Sequence, residues 1–341
     1  MSDWSAMRVD AHSHLPLDTD EASAIVDALD LRIINICVDS AELGGLDAQR
    51  AWYRGLTEQR PDRFGWVTSF ALDEVSPTGP SDQLLAQLEE DLTKVGGGGG
   101  SGVKVWKNVG MEVRDGEGRF VFCDDERFDP IYAQLAEWKV PLLMHIGEPL
   151  ACWQSLERMR ADGSPHYDYY RANPQWHWCG KADVPSHAEL VASRDRVCAK
   201  HPGLTVVGAH YGSLEYDVDA VAERFGRYPN FHVDTSARLG DLAMQVERDR
   251  GKVVAFFEAF SDRILWGLDW VMTRPLSEVA TEERASLVER VKKAYETEFR
   301  FFATEEPVAF PGRTVRGLDL SKDVWRQLIW GNAQRVYGAF A

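Results

Sequence analysis

The stretch VDAHSHLP, residues 9–16, places two histidines directly behind a short apolar run near the start of the chain. In an extended strand residues i and i+2 point to the same face, so His12 and His14 can converge on one ion. Neutral imidazoles bind zinc and similar metals well. Two of the nine histidines can also meet by chance in a polar loop. The pair therefore predicts a metal site only if ligands from elsewhere in the chain join it.

The composition is that of an acidic globular protein. The chain has 341 residues, 44% of them hydrophobic, enough for one large domain or two ordinary ones, and a formal net charge of −16. That charge argues against nucleic acid or an anionic membrane as a partner, and no stretch reads as a transmembrane helix or a signal peptide. Five cysteines, odd in number and without a CxxC pair, suit free thiols in a reducing cytoplasm.

Short runs rich in valine, isoleucine and leucine recur along the chain with helical patterns between them. They predict strands at residues 7–12, 31–38, 64–70, 102–106, 140–146, 204–210, 230–236 and 263–269. The intervening patterns predict helices at residues 21–29, 46–59, 81–94, 127–138, 187–200, 215–226, 240–259, 281–302 and 321–338. The strands are nearly continuous apolar runs, as expected when both faces of a parallel sheet are covered. Eight strands alternating with helices predict a (β/α)₈ barrel.

A doubly wound open sheet is the competing architecture. It would usually carry a glycine-rich dinucleotide-binding turn after the first strand, and DAHSHLPLD has none. The glycine run of residues 94–105, KVGGGGGSGVKV, leads into a strand and lacks Gly-Lys-Ser/Thr, so we interpret it as a flexible connector and not as a phosphate-binding loop. Residues 147–186, between the fifth strand and its helix, form a long aromatic-rich insertion that is typical of a lid.

Four of the predicted strands end in residue types that bind metals. In a (β/α)₈ barrel the carboxyl ends of the strands line one mouth, where the chemistry takes place. The first strand ends in His12 and His14, the fifth in His145, the sixth in His210 and the eighth in Asp269. Any one of them alone is more often a packed residue, a turn former or a helix cap. Their coincidence at one mouth favours a metal site.

The ordered motifs DAHSH, GVKVW, MHIGEP, GAHYGS, FHVDTSA, WGLDW and IWGNAQRVYG resemble the amidohydrolase superfamily. They are most similar to its amidohydrolase-2 branch, which includes aminocarboxymuconate-semialdehyde decarboxylase, related decarboxylases, lactonases and hydratases. The resemblance runs over nearly the whole chain. It implies a single barrel domain over residues 1–341, with a closing C-terminal helix at 321–338.

The same resemblance implies the ligands of one divalent metal. They are His12, His14, His145 and Asp269, and zinc is the first expectation, with manganese as the alternative. His210 would be a further ligand or, more typically in this branch, an acid or base beside the metal. Such a ligand set leaves room for a water whose pKa the metal lowers toward about 7. Asp269 and His210 are therefore the predicted catalytic residues.

Lys104 raises the question of a second metal. Many members of the superfamily carry a carbamylated lysine on the fourth strand that bridges two metals. Lys104 and Lys107 fall on opposite faces of GVKVWK, so only one of them is expected to face the barrel interior, and Lys104 comes early in the strand. We predict that Lys104 has a structural role or contacts a substrate carboxylate, and that the site holds one metal.

Four further residues are candidates for substrate binding. Glu148 can bind substrate or orient His210, or it is a loop carboxylate or helix N-cap. Arg238, just past the seventh strand, is either a clamp for a substrate carboxylate or a solvated arginine at a helix start. Trp176 and Tyr170, in the insertion, either stack on a planar or sugar-like substrate or pack the insertion down.

These residues predict a cytoplasmic enzyme with a small-molecule substrate, and a homodimer is the first expectation for self-association. The first hypothesis is hydrolysis of an amide, lactone or ester-like bond by metal-activated water. The alternative is non-oxidative decarboxylation of a small carboxylic acid at the same site. Decarboxylases of this branch often begin with Glu-x-His and this chain has His12-x-His14, which slightly favours hydrolysis, although aminocarboxymuconate decarboxylase keeps His-x-His. A non-catalytic barrel that binds a metal or ligand is the third hypothesis, and the intact ligand types argue against it.

Overall fold

The centre of the fold is a closed sheet of parallel strands. A computed structural model describes residues 7–16, 20–93, 98–272 and 278–340. In this part of the chain the sheet consists of β1 Arg8–His14, β2 Leu31–Ile36, β3 Phe64–Ser69, β4 Val103–Val105, β5 Leu142–Met144, β6 Val206–Gly208, β7 Phe231–Asp234, β8 Ile264–Leu265 and β9 Trp270–Val271. Strands β1 to β8 follow one another in chain order around the sheet, and β9 lies on the other side of β1.

Strands β8 and β9 are two halves of the last barrel strand. β8 pairs in parallel with β7, and β9 pairs in parallel with β1. The segment that links β8 to β9 is also bonded to β1. The Ala11 backbone amide donates to the Trp266 carbonyl at 3.0 Å, and the Asp269 backbone amide donates to the His12 carbonyl at 2.8 Å. The first and last strands are thus joined, which closes the predicted (β/α)₈ barrel. From the fourth strand onward the hydrogen-bonded ladders are shorter than the apolar runs in the sequence.

Helices connect the successive strands. In the described ranges the α-helices of five or more residues are α1 Asp20–Ala28, α2 Leu46–Gln59, α3 Asp82–Leu92, α4 Asp129–Trp138, α5 Leu156–Ala161, α6 Tyr167–Ala172, α7 His187–Lys200, α8 Val218–Arg227, α9 Leu239–Ala259, α10 Thr281–Ala303, α11 Lys322–Arg326 and α12 Asn332–Tyr337. Serine caps start several of them, because the hydroxyl accepts a hydrogen bond from a free amide of the first turn. Ser186 forms a complete capping box with Glu189 at the start of α7.

In the described residues two antiparallel strand pairs, besides the isolated bridge between Arg114 and Phe120, lie outside the barrel. One joins Val75–Ser76 to Gly79–Pro80, and the other is the hairpin of β10 Pro307–Phe310 and β11 Arg313–Arg316. Of the predicted glycine connector, residues 94–97 lie outside the described part of the chain, and the Gly98 carbonyl accepts a 2.7 Å bond from the Trp66 indole. All five cysteines are free. None of the helices in the described ranges is long and apolar enough to cross a membrane.

The C-terminal segment is hydrogen-bonded to the start of the eighth strand. It is helical from Lys322 to Tyr337, and a π-helical turn at Gln327–Gly331 joins α11 to α12. The side-chain Nδ2 of Asn332 donates to the backbone carbonyls of Ser261 and Ile264 at 2.6 and 2.7 Å. These bonds satisfy backbone carbonyls beside β8, and they fix the strand that leads toward Asp269.

Residues 147–186, the predicted insertion, lie between β5 and α7 and contain α5 and α6. Side chains hold this segment in place. The His166 ring contacts the Asp241 carboxylate on α9 at 2.9 Å, and the Trp153 indole donates to the Pro185 carbonyl at 2.8 Å. The Cys152 thiol donates to the Trp176 carbonyl at 3.2 Å. The segment therefore has specific contacts both to the barrel and within itself.

The helix α10 carries a buried carboxyl group against the barrel. Glu298 is 3% exposed, and one of its oxygens accepts a 3.3 Å hydrogen bond from the Trp266 indole. Burial raises the pKa of Glu298 to about 8, so it is protonated in the folded protein at neutral pH. The unfolded chain releases that proton. Between about pH 4.5 and 8 the folded state therefore binds more protons than the unfolded state, and stability falls as pH rises.

Replacing Glu298 by glutamine is expected to stabilise the protein increasingly as the pH rises, by on the order of 4 kcal/mol at pH 8, because the amide does not ionise. Chemical denaturation at pH 5 and pH 8 measures the effect. Glu296→Gln, an exposed position on the same helix, is the matched control and should show no such dependence. An equal effect of Glu298→Gln at both pH values would contradict the prediction.

Candidate metal centre

The carboxyl end of β1 brings two imidazoles to the mouth of the barrel. His12 and His14 lie on the same face, with ring centroids 5.4 Å apart, and both are buried. Asp269 stands opposite them, between β8 and β9, in a left-handed backbone conformation with φ 61°. Its Oδ1 lies 3.5 Å from His14 Nε2 and 3.8 Å from His12 Nε2. Three of the predicted ligands are thus within 4.8 Å of one another.

The hydrogen bonds fix which imidazole nitrogens carry protons. His14 Nδ1 lies 2.6 Å from the Ile36 carbonyl, and His12 Nδ1 lies 2.8 Å from Asp234 Oδ2. Both partners are acceptors, so both Nδ1 atoms carry the hydrogen and both Nε2 atoms carry a lone pair. Burial lowers the pKa of each histidine well below its ordinary value, so the rings are neutral.

This arrangement fits a divalent cation. Two unprotonated nitrogens and a carboxylate oxygen face one another, and one of the nitrogens, His12 Nε2, also has the Lys104 ammonium 3.3 Å away. Burial raises the pKa of Asp269, and the neighbouring positive charge of Lys104 opposes that rise. A cation coordinated by neutral imidazoles and a carboxylate satisfies all three acceptors at once, which is the donor chemistry of zinc and manganese sites.

His145 and His210 lie side by side at the same mouth. Their ring centroids are 4.5 Å apart, and His210 also stacks on His12 at 5.0 Å. His145 Nε2 lies 3.2 Å from the Gly147 carbonyl, and His210 Nδ1 lies 2.9 Å from the Ser236 carbonyl. Each ring therefore keeps one nitrogen with a lone pair: Nδ1 in His145 and Nε2 in His210.

His210 begins an uncommon backbone turn. Strand β6 ends at Gly208, before the predicted end at residue 210, and His210, Tyr211, Gly212 and Ser213 all have φ between 57° and 64°. Such left-handed conformations are costly for residues other than glycine and persist only where the surroundings hold them. The buried Arg194 donates to the Gly212 carbonyl, which is one of the contacts that stabilise the turn.

Lys104 faces the barrel interior, and its Nζ lies 3.3 Å from His12 Nε2. It is 1% exposed, and burial lowers its pKa to about 8. Of the two lysines, Lys104 is the one that faces the barrel interior beside His12. β4 ends at Val105, so strand alternation stops before Lys107, whose ammonium pairs with Glu148 at the mouth.

Glu148 has both carboxylate oxygens engaged. Lys107 contacts Oε1, and the Tyr170 hydroxyl donates to Oε2 at 2.8 Å. Tyr170 is completely buried, so its ring contacts protein, and its hydroxyl is joined to the mouth through Glu148. Trp176 is partly exposed, and the Lys107 ammonium lies 5.3 Å from its ring centroid. Together these contacts attach the 147–186 segment to the barrel mouth.

Arg238 follows β7 and is partly buried beside the histidines. Its Nη1 donates to the Ala237 carbonyl at 3.0 Å, while its buried Nε has no hydrogen-bond partner in the described part of the chain. The positive charge of Arg238 contributes to lowering the pKa of His12 and of His210. The mouth therefore holds a cationic group with unused donor capacity.

Asp234 and Ser236 complete the site. The alternation in FHVDTSA places both on one face and predicts hydrogen bonds within the mouth, but it does not identify their partners. In the structure Asp234 bonds His12 and the amide of His210. A carboxylate at the end of a barrel strand, two residues before a serine, is the only sequence signal for this role.

The fold and the site define a (β/α)₈ barrel whose mouth is built from histidines, carboxylates and basic residues. The family model described as Amidohydrolase (Amidohydro_2) matches residues 9–339, and the chain belongs to this family. No curated protein sequence matches the chain.

Solved structures share the fold at low sequence identity. 2,6-Dihydroxybenzoate decarboxylase from Rhizobium is 15% identical, with 98% of this chain and 99% of that chain covered and a TM-score of 0.56. An amidohydrolase from Burkholderia multivorans with bound zinc is 16% identical, with coverage of 98% and 100% and a TM-score of 0.51. A dihydroxybenzoic acid decarboxylase from Polaromonas sp. JS666 with bound manganese and the inhibitor 2-nitroresorcinol is 16% identical, with coverage of 94% and 86% and a TM-score of 0.51.

Proposed function

We propose that this protein is a metal-dependent hydrolase that cleaves an amide, lactone or ester-like bond in a small molecule. The observation that carries the proposal is the convergence of the His12 and His14 Nε2 lone pairs on Asp269 Oδ1 at 3.8 and 3.5 Å. These residues would hold one divalent ion, zinc first and manganese as the alternative, with His145 as the remaining ligand.

When bound, the ion supplies a Lewis acid that polarises a carbonyl oxygen and lowers the pKa of a water. Asp269 would act as the general base toward an attacking water, because its side chain is 20% exposed and has access to the mouth. In the metal-free protein burial raises the pKa of Asp269, and the positive charge of a bound ion would act in the opposite direction. The carboxylate can then return the proton to the leaving group.

His210 assists as a hydrogen-bond acceptor in its neutral form. Its Nδ1 hydrogen is directed to the Ser236 carbonyl, so Nε2 holds a lone pair and can take a proton from substrate or water. Donation to a developing oxyanion would require His210 to be protonated first. Lys104 and Arg238 would supply positive charge to stabilise negative charge on the substrate.

Non-oxidative decarboxylation is the second candidate, and two observations favour it. Arg238 and Lys104 provide positive charge for a substrate carboxylate. The nearby Glu148 would not have to move, because Lys107 and Tyr170 already bind its carboxylate. Two of the proteins with the same fold are dihydroxybenzoate decarboxylases. In this reaction a protonated group at the mouth would deliver a proton to the carbon that loses carbon dioxide.

One experiment compares the two reactions on the same preparation. The metal-free protein is loaded with one equivalent of zinc or manganese and assayed against amides, lactones, esters and small aromatic and aliphatic carboxylic acids. Release of a new acid without carbon dioxide supports hydrolysis, whereas release of carbon dioxide without water incorporation supports decarboxylation. Absence of metal-dependent turnover on every class would overturn both proposals and leave a binding barrel.

Arg238→Gln is expected to raise KM for a carboxylate-bearing substrate about 10- to 100-fold with a smaller change in kcat, because a hydrogen bond to a charged group is lost. Steady-state kinetics on the substrate and on its neutral methyl ester or amide measure the effect. The neutral analogue is the internal control, and its KM should change little. Equal effects on both compounds would show that Arg238 does not bind the carboxylate.

A further inference from the structure

Asp234, at the end of β7, connects two histidines that come from different strands. Its carboxylate is 1% exposed. Oδ2 lies 2.8 Å from His12 Nδ1, and Oδ1 accepts a 2.8 Å hydrogen bond from the backbone amide of His210. Ser236 donates to the same Oδ1 from its amide at 3.2 Å and from its hydroxyl at 2.5 Å. Every one of these contacts needs an acceptor oxygen.

We propose that Asp234 is a positioning residue that sets the tautomer of His12 and holds His210 in its left-handed turn. Oδ2 keeps the hydrogen of His12 on Nδ1, so Nε2 remains free to bind a metal ion. Oδ1 stabilises the strained backbone at His210, where φ is 57°. One carboxylate thereby prepares a predicted ligand on β1 and a predicted catalytic residue after β6. The inference rests on the metal centre of the proposed function.

Both oxygens of Asp234 act as acceptors, and this makes the proposal specific. An asparagine at this position has one acceptor oxygen and one NH₂ donor. Three donors, from His210 and Ser236, surround the Oδ1 position, so the amide oxygen is expected to take that place. The NH₂ group then faces His12 Nδ1 and makes it an acceptor. The hydrogen of His12 moves to Nε2, which faces Asp269 Oδ1 at 3.8 Å, and the Lys104 ammonium, 3.3 Å from the same nitrogen, turns away from it.

The experiment compares Asp234→Asn with the wild type in two measurements. In metal-free protein labelled with ¹⁵N-histidine, NMR reports the tautomer of His12, whose signals are assigned by their loss in His12→Ala. The wild type is expected to show Nδ1–H, and Asp234→Asn is expected to show Nε2–H. Competition with a chromophoric chelator then measures zinc binding, and the variant should bind zinc 10- to 100-fold more weakly.

Asp91→Asn is the matched control. Asp91 is also a fully buried aspartate whose two oxygens accept hydrogen bonds, here from Arg54, Gln87 and Thr68 and from no histidine. It is expected to lose stability without a change in the His12 tautomer or in zinc affinity. Asp234→Asn must therefore differ from it in both readouts, which separates positioning of His12 from a general structural role.

Two results would overturn the proposal. One is an Nε2–H tautomer of His12 in the metal-free wild type, a measurement that remains available even if the variant does not fold. The other is an unchanged tautomer and zinc affinity within threefold of wild type in a folded Asp234→Asn. The NMR measurement needs neither substrate nor metal. A protein without enzymatic activity would therefore contradict the proposed function but not the role of Asp234.

Discussion

The double variant His12→Ala, His14→Ala is expected to lose the bound metal almost completely, from about one divalent ion per chain to a small fraction of that. The two substitutions remove both Nε2 donors that converge on Asp269 and leave two of the four proposed ligands, Asp269 and His145. Elemental mass spectrometry on protein purified without added metal measures the content directly. Because the metal-binding free energy disappears with the ligands, the difference in thermal stability between metal-free and metal-loaded protein should disappear as well.

His201→Ala serves as the control for the double variant. His201 is partly buried after α7, and its Nε2 pairs with Asp129 at 2.9 Å, away from the barrel mouth. This substitution should leave the metal content unchanged. Equal metal in the double variant and the wild type would place the ion elsewhere. Near two ions per chain in the wild type would instead reopen carbamylation of Lys104.

Much of the barrel could be predicted from the sequence because a buried parallel strand is a simple signal. Its side chains are covered on both faces, so it appears as a continuous apolar run, and eight such runs alternate with helical patterns. The same reasoning placed His12 and His14 on one face, and the family confirms the resemblance that the ordered motifs indicated. Residues at the carboxyl ends of strands then meet at one mouth because the strands are parallel.

The sequence was less informative where a strand stops. Alternation predicts opposite directions for Lys104 and Lys107 only while the chain stays extended, and β4 already ends at Val105. The eighth strand shows the same limit, since β8 and β9 are separated by residues in which Asp269 adopts a left-handed conformation. Side-chain direction in these places depends on local backbone angles that hydrophobic patterning does not encode.

Side-chain contacts between residues far apart in the sequence also could not be predicted. Tyr170 was a candidate for stacking on substrate, and its complete burial follows from the packing of the 147–186 segment, which composition alone does not reveal. Asp234 contacts His12 across 222 positions of sequence. Hydrogen bonds of this kind are decided by how the strand ends meet in three dimensions, so only the geometry assigns them.

Asp269→Asn is expected to lower kcat by about 10²- to 10⁴-fold while most of the metal is retained. The amide keeps an oxygen that can serve as a ligand, but it does not accept a proton from the attacking water. Turnover of the best substrate and metal content are measured on the same sample. Asp39→Asn is the control, since Asp39 follows β2 at the same mouth and accepts a hydrogen bond from Asn108 and from no histidine. A metal-loaded Asp269→Asn with nearly wild-type kcat would show that another group takes the proton, and His210, with its free Nε2, would then become the base to test.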